Sequence, residues 1–77
     1  MKIKILFFAQ LKEMFGESER FMEVPEGLCV REVVDQLLDG KARDIPLIFA
    51  VNENFEPADK ELRHQDQLAV MTPVSGG

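Results

Sequence analysis

The chain has 77 residues, 45% of them hydrophobic and 30% charged, and a formal net charge of -5. This length supports one domain with one small core, and the composition is that of a folded chain. The acidic balance offers no basic cluster to replace phosphate counterions, which excludes nucleic acid as the expected partner and suits a basic docking surface instead. No unbroken apolar run is longer than the five residues of Ile5 to Ala9, too short to cross a bilayer, and no signal-peptide pattern precedes it. A single cysteine, Cys29, rules out an internal disulfide and fits a reducing compartment. The expected location is the cytoplasm, with no membrane contact.

Residues 2–8 begin as strict alternation and end apolar on both faces, which reads as a central strand. Ile3, Ile5 and Phe7 share one face; Lys2, Lys4, Leu6 and Phe8 share the other. From Ala9 the period changes. Leu11, Met14 and Phe15 stand at i, i+3, i+4, about two helical turns that stop at Gly16. Arg20 to Val24 reads as a more polar strand, antiparallel to the first, closed by the turn signal Pro25-Glu26-Gly27.

The clearest element follows. Val30, Val33, Val34, Leu37 and Leu38 form one apolar helical stripe, with Arg31, Glu32, Asp35, Gln36 and Asp39 on the opposite side. Glu32 stands three residues after Cys29, as in a capping box whose hydroxyl is replaced by a thiol. Leu28 and Val33 are spaced as a hydrophobic staple, and Gly40 closes the helix. After a polar connection at 41–44, Pro46 to Asn52 reads as a third strand. Asn52-Glu53-Asn54 reads as a turn into a short arm at Phe55-Glu56, stopped by Pro57. Residues 58–67 are polar, with Leu62 the one core anchor. Leu68 to Thr72 is the last strand.

This order predicts an α+β roll with a mixed four- to five-stranded sheet and one main helix packed on one face. It is the β-grasp plan of ubiquitin-like domains. The expected domain is 1–73, with 74–77 a flexible Gly-Gly tail. The sheet face away from the helix should show Leu6, Phe8, Phe55, Ala69 and Met71.

Few residues invite chemistry. His64 lies in a polar loop and reads as a solvated side chain. Cys29 opens a helix, where a thiol pKa falls, yet no second cysteine or histidine lies nearby in sequence, so it reads as a structural cap. There is no metal-ligand spacing and no phosphate loop, so neither a metal nor a bound cofactor is expected. The remaining candidate is the C-terminus. Residues 74–77, extended, reach roughly 13 Å at about 3.3 Å per residue. Glycines at 76 and 77 fit a slot too narrow for side chains.

At this point a family resemblance emerges. Residues 4–13, the turn 25–27 with the helix start 30–34, the Ala50-Val51-Asn52 strand and the closing segment 62–77 resemble the small, sulfur-carrier subunit of molybdopterin synthase. The Pro73-Val74-Ser75-Gly76-Gly77 end is the most specific part. Two positions depart from that pattern: Cys29 replaces a hydroxyl residue, and Gln65 replaces a glycine. The resemblance implies that an adenylating enzyme uses ATP to activate the Gly77 carboxylate, with Gly76 beside it. A sulfur donor then leaves a thiocarboxylate, which passes sulfur to a pterin precursor to form the dithiolene. It implies no enzyme activity of the chain alone, two partners (the adenylating, sulfurating enzyme and a large catalytic subunit in a hetero-oligomer) and docking through Phe8, Phe55, Met71, Pro73, Val74 and Ser75. A thiamine-type sulfur carrier and a ubiquitin-like protein modifier are the alternatives.

Overall fold

The computed structural model describes residues 1–40 and 46–73. In chain order the elements are β1 (Lys2–Phe7), α1 (Ala9–Phe15), β2 (Glu19–Glu23), α2 (Val30–Leu38), β3 (Ile48–Val51), β4 (Asn54–Phe55) and β5 (Gln67–Met71). The strands form one mixed five-stranded sheet in the order β2-β1-β5-β3-β4. β1 pairs antiparallel with β2 and parallel with β5, while β5 and β4 both pair antiparallel with β3. β1, β5 and β3 are interior strands, and the more polar β2 and the two-residue β4 form the edges.

Strand alternation decides what is buried. Ile3, Ile5 and Phe7 of β1 and Leu68 and Val70 of β5 point into the core. Against them pack Val30, Val33, Val34, Leu37 and Leu38, the whole apolar stripe of α2, together with Leu11 of α1 and Leu62. Each fully buried Leu, Ile or Val contributes about 1.5–3 kcal/mol of transfer free energy. Fifteen hydrophobic residues and no polar ones are buried among those described. The short helix departs from its pattern. Leu11 is buried, whereas Met14, which stands at the same helical spacing, is 38% exposed. Phe15 stacks on Phe7 with ring centroids 4.8 Å apart. The Arg20 guanidinium lies 5.7 Å from the Phe7 ring centroid and 5.4 Å from that of Phe15, and donates to Glu17 Oε2 at 2.8 Å through Nε.

Helix α2 starts at a tied junction. Cys29 is its N-cap, and the Cys29 N–H donates to Glu32 Oε1 at 3.0 Å. The reciprocal half meets capping-box geometry without a full side-chain hydrogen bond, as expected of a weakly accepting thiol. The next amides are satisfied by a segment distant in sequence. Val30 N–H donates to Lys60 O at 2.9 Å and Arg31 N–H to Ala58 O at 2.8 Å, while Leu62 N–H donates to Leu28 O at 2.9 Å. The polar stretch around 58–62 therefore does the work of a cap. At the other end Asp39, not Gly40, is the C-cap, in left-handed backbone at φ 47°, and Gly40 follows at φ 85°. The Asn52-Glu53 turn between β3 and β4 also has positive φ at both residues, the geometry that two-residue hairpins require.

Gln65 stands in left-handed backbone at φ 71°, where glycine is unstrained. Its N–H donates to Lys2 O at 2.8 Å, which binds this turn to the start of β1. His64 has a partner as well: its Nδ1 accepts the Lys2 N–H at 2.9 Å. The expectation of a merely solvated histidine is corrected in that respect, although the residue is exposed.

Candidate functional site: the open sheet face and the C-terminal strand

Both helices contribute to one side of the sheet, and register identifies the residues of the other. Leu6 pairs with Ala69, Ala69 with Ala50 and Ala50 with Phe55, so these four form one row across β1, β5, β3 and β4. Met71 pairs with Ile48. Phe8 lies one position beyond β1 in extended backbone (φ −126°, ψ 151°) and so continues the face of Leu6, next to Met71. Phe8 is 45% exposed and Phe55 76%, whereas Met71, Ile48, Leu6 and Ala69 are half-buried. The expected Leu6, Phe8, Phe55, Ala69 and Met71 thus share one face. Contiguous apolar side chains on the open face of a small domain mark an interaction surface.

Three members of that face were absent from the sequence reading: Phe21, Ile48 and Ala50. The signal for Phe21 was available. Phe21 shares its strand parity with Glu19 and Glu23, the polar side, and the pairing of Met22 with the inward Ile3 confirms that Phe21 points outward. Ile48 and Ala50 were hidden because that strand reads as apolar on both sides.

The C-terminal strand sets the site's polarity. β5 lies between β1 and β3, held on both sides, and delivers Thr72 and then exposed Pro73, just past the Met71–Ile48 pair that ends the ladder. Val74, Ser75, Gly76 and Gly77 lie outside the described residues. Cys29 is half-buried at the helix junction and is not part of this face. Near it, the Glu32 carboxyl is held below its ordinary pKa, first by the Cys29 backbone N–H and then by its side chain. Among the described residues no group of three histidine, cysteine or acidic side chains could hold a metal ion, and no helix is long and apolar enough to cross a membrane.

A helix laid across a mixed sheet, with a central strand that runs parallel to the first and leads to the C-terminus, is the β-grasp architecture of ubiquitin-like carriers. Comparison with known proteins narrows that class. The model of the ThiS family matches residues 5–77, and the chain belongs to that family. It is 34% identical over 83 residues to a molybdopterin synthase sulfur carrier subunit from Chlamydomonas reinhardtii, covering 100% of both chains. A solved structure from Pyrococcus furiosus, provisionally described as molybdopterin converting factor subunit 1, superposes with a TM-score of 0.83 at 27% identity, covering 96% of this chain and 99% of that one. A chain in the complex of subunits 1 and 2 of molybdopterin-converting factor from Helicobacter pylori shares the fold, with a TM-score of 0.68 at 19% identity over the full length of both chains.

Proposed function

We propose that this chain is the sulfur-carrier subunit of molybdopterin synthase and acts through its C-terminal Gly77. An adenylating partner joins the Gly77 carboxylate to the AMP portion of ATP and releases pyrophosphate. A sulfur donor then displaces AMP, leaving a thiocarboxylate. The large catalytic subunit receives the tail and passes its sulfur to a pterin precursor, where the dithiolene forms. The chain is not an enzyme on its own; it binds no cofactor, ATP is consumed at the partner, and the work is done in the cytoplasm.

The observation that carries this reading is the course of β5. The strand is pinned between β1 and β3 and leads to Pro73 at the margin of an apolar, uncovered face. Its supports are the full-length similarity to named sulfur carriers and the shared fold of a two-subunit complex. Physically, a slender tail on a rigid body can enter two pockets in turn, while the body supplies docking energy through Phe8, Phe55, Met71 and Pro73. Val74, Ser75 and Gly76 act as the spacer.

The test is ATP–pyrophosphate exchange with the adenylating enzyme, together with intact-mass analysis of the sulfurated product. Deleting Gly77, or appending residues after it, should abolish exchange with circular dichroism unchanged. Gly76→Ala should slow it strongly. Exchange at the wild-type rate by an extended variant would overturn the mechanism.

A further inference from the structure

The apolar face does not end at β1. On the edge strand β2, Phe21 is 58% exposed and points to the same side as Leu6 and Phe55. It stands directly opposite Lys4, and the Lys2 and Lys4 ammonium groups lie 5.4 Å and 5.9 Å from its ring centroid. Glu19 and Glu23 flank it along the strand. Lys4 Nζ is 3.3 Å from Glu19 Oε2, and Lys2 stands in register with Glu23. An exposed aromatic ring is therefore encircled by two cations and two anions whose charges cancel locally. This is the anatomy of an interface anchor: one large apolar group surrounded by a polar collar that excludes water.

Size points the same way. At about 4.8 Å between strands, β1 to β4 span about 14 Å, while a standard interface covers about 800 Å² per partner, roughly 28 Å across. A partner seated on Leu6, Met71 and Phe55 must overhang one or both edges of the sheet. On the β2 side the first large group it meets is Phe21.

We propose that the docking face for the large catalytic subunit extends onto β2, with Phe21 as a third aromatic anchor beside Phe8 and at the opposite edge from Phe55. This rests on the functional reading above and adds the partner's shape: an uncharged, apolar socket facing Phe21. Because the collar is neutral, a strongly charged partner surface gains nothing there. A second copy of this chain is a poor occupant. Antiparallel β2–β2 pairing centred on Phe21 sets Glu19 against Glu23 of the other copy, and like charges directly opposite are destabilising.

The experiment is calorimetric titration of full-length Phe21→Ala and Phe21→Lys against the large subunit at low and high salt, with thermal melts and sedimentation of each carrier alone. Met71→Glu serves as the control for the face. Phe21→Ala is expected to raise Kd about tenfold, the scale of an anchor residue, by the same factor at both salt concentrations. Phe21→Lys should raise it further, with both variants melting near wild type. If Met71→Glu weakens binding and the Phe21 variants do not, the extension is wrong while the functional reading stands. If wild type itself does not bind the large subunit, that reading fails and the extension falls with it. If the variants change only self-association, the face belongs to a second copy, and the proposal is overturned.

Discussion

Replacing Met71 by glutamate places a carboxylate at the centre of the open face, in register with Ile48 and beside Phe8. In the free protein the position is half-buried, so the new side chain can extend its charge into water. Only methionine packing on the sheet surface is lost, a cost of about 1 kcal/mol or less, in the range of ordinary surface substitutions. Docking changes this balance. Covering the face strips water from the carboxylate without providing a partner, at a cost of about 2 kcal/mol or more. That corresponds to a Kd raised about 30-fold. Titration against the large subunit measures this, with a thermal melt in parallel. The neighbouring Val70 is fully buried and supplies the contrast: Val70→Glu should unfold the domain. A Met71→Glu protein that melts like wild type and binds like wild type would refute the docking face; one that unfolds would place Met71 in the core.

Gln65→Gly removes a side chain from left-handed backbone at φ 71°. Relief of about 1–2 kcal/mol of strain, less about 0.5–1 kcal/mol of added chain entropy, should raise Tm by a few degrees, and a drop on scanning calorimetry would show that the Gln65 side chain is needed there. Cys29→Ser supplies a better acceptor at the α2 N-cap and should add about 0.5–1 kcal/mol in denaturant titration, with sulfur transfer unchanged. A well-folded Cys29→Ser protein that no longer carries sulfur would make the thiol a participant. The Glu32 carboxyl has a folded-state pKa below its ordinary value, so the stability it adds is present above the unfolded carboxylate range and fades as pH falls through the lower folded value. Glu32→Gln, whose amide does not ionise, should lose less Tm than wild type between about pH 6 and about pH 3, and parallel curves for the two proteins would exclude the linkage.

The sequence carried the elements further than their relations. β1 and α2 were legible because their periods are strict and long: alternation from Lys2, and five apolar residues on one helical stripe. The open face was readable by parity wherever polar and apolar residues alternate. It was not readable along Ile48 to Val51, where neither side is polar. What parity cannot supply is pairing. That β5 lies between β1 and β3 depends on contacts distant in sequence, and so does the segment 58–62 acting as a cap for α2, since its carbonyls carry no residue-type signal. The αL backbone at Gln65 was inferable only because glycine is usual there in the resembling family. His64 looked idle for a related reason: its partner, the Lys2 amide, lies at the other end of the chain.

The parallel pairing of β1 with β5 has a consequence for the order of events in the cell. β1 cannot complete its place in the sheet until β5, which follows it by some sixty residues, has been made. The amides that open α2 wait for carbonyls at 58 and 60 in the same way. Contacts this distant in sequence make for slow closure, and a partly synthesised chain keeps Ile3, Ile5 and Phe7 without their partners. Closure of the sheet is therefore a late step. A chain cut short before β5 lacks Ala69 and Met71, so the row that joins Leu6 to Ala50 and Phe55 across the open face is broken at its middle.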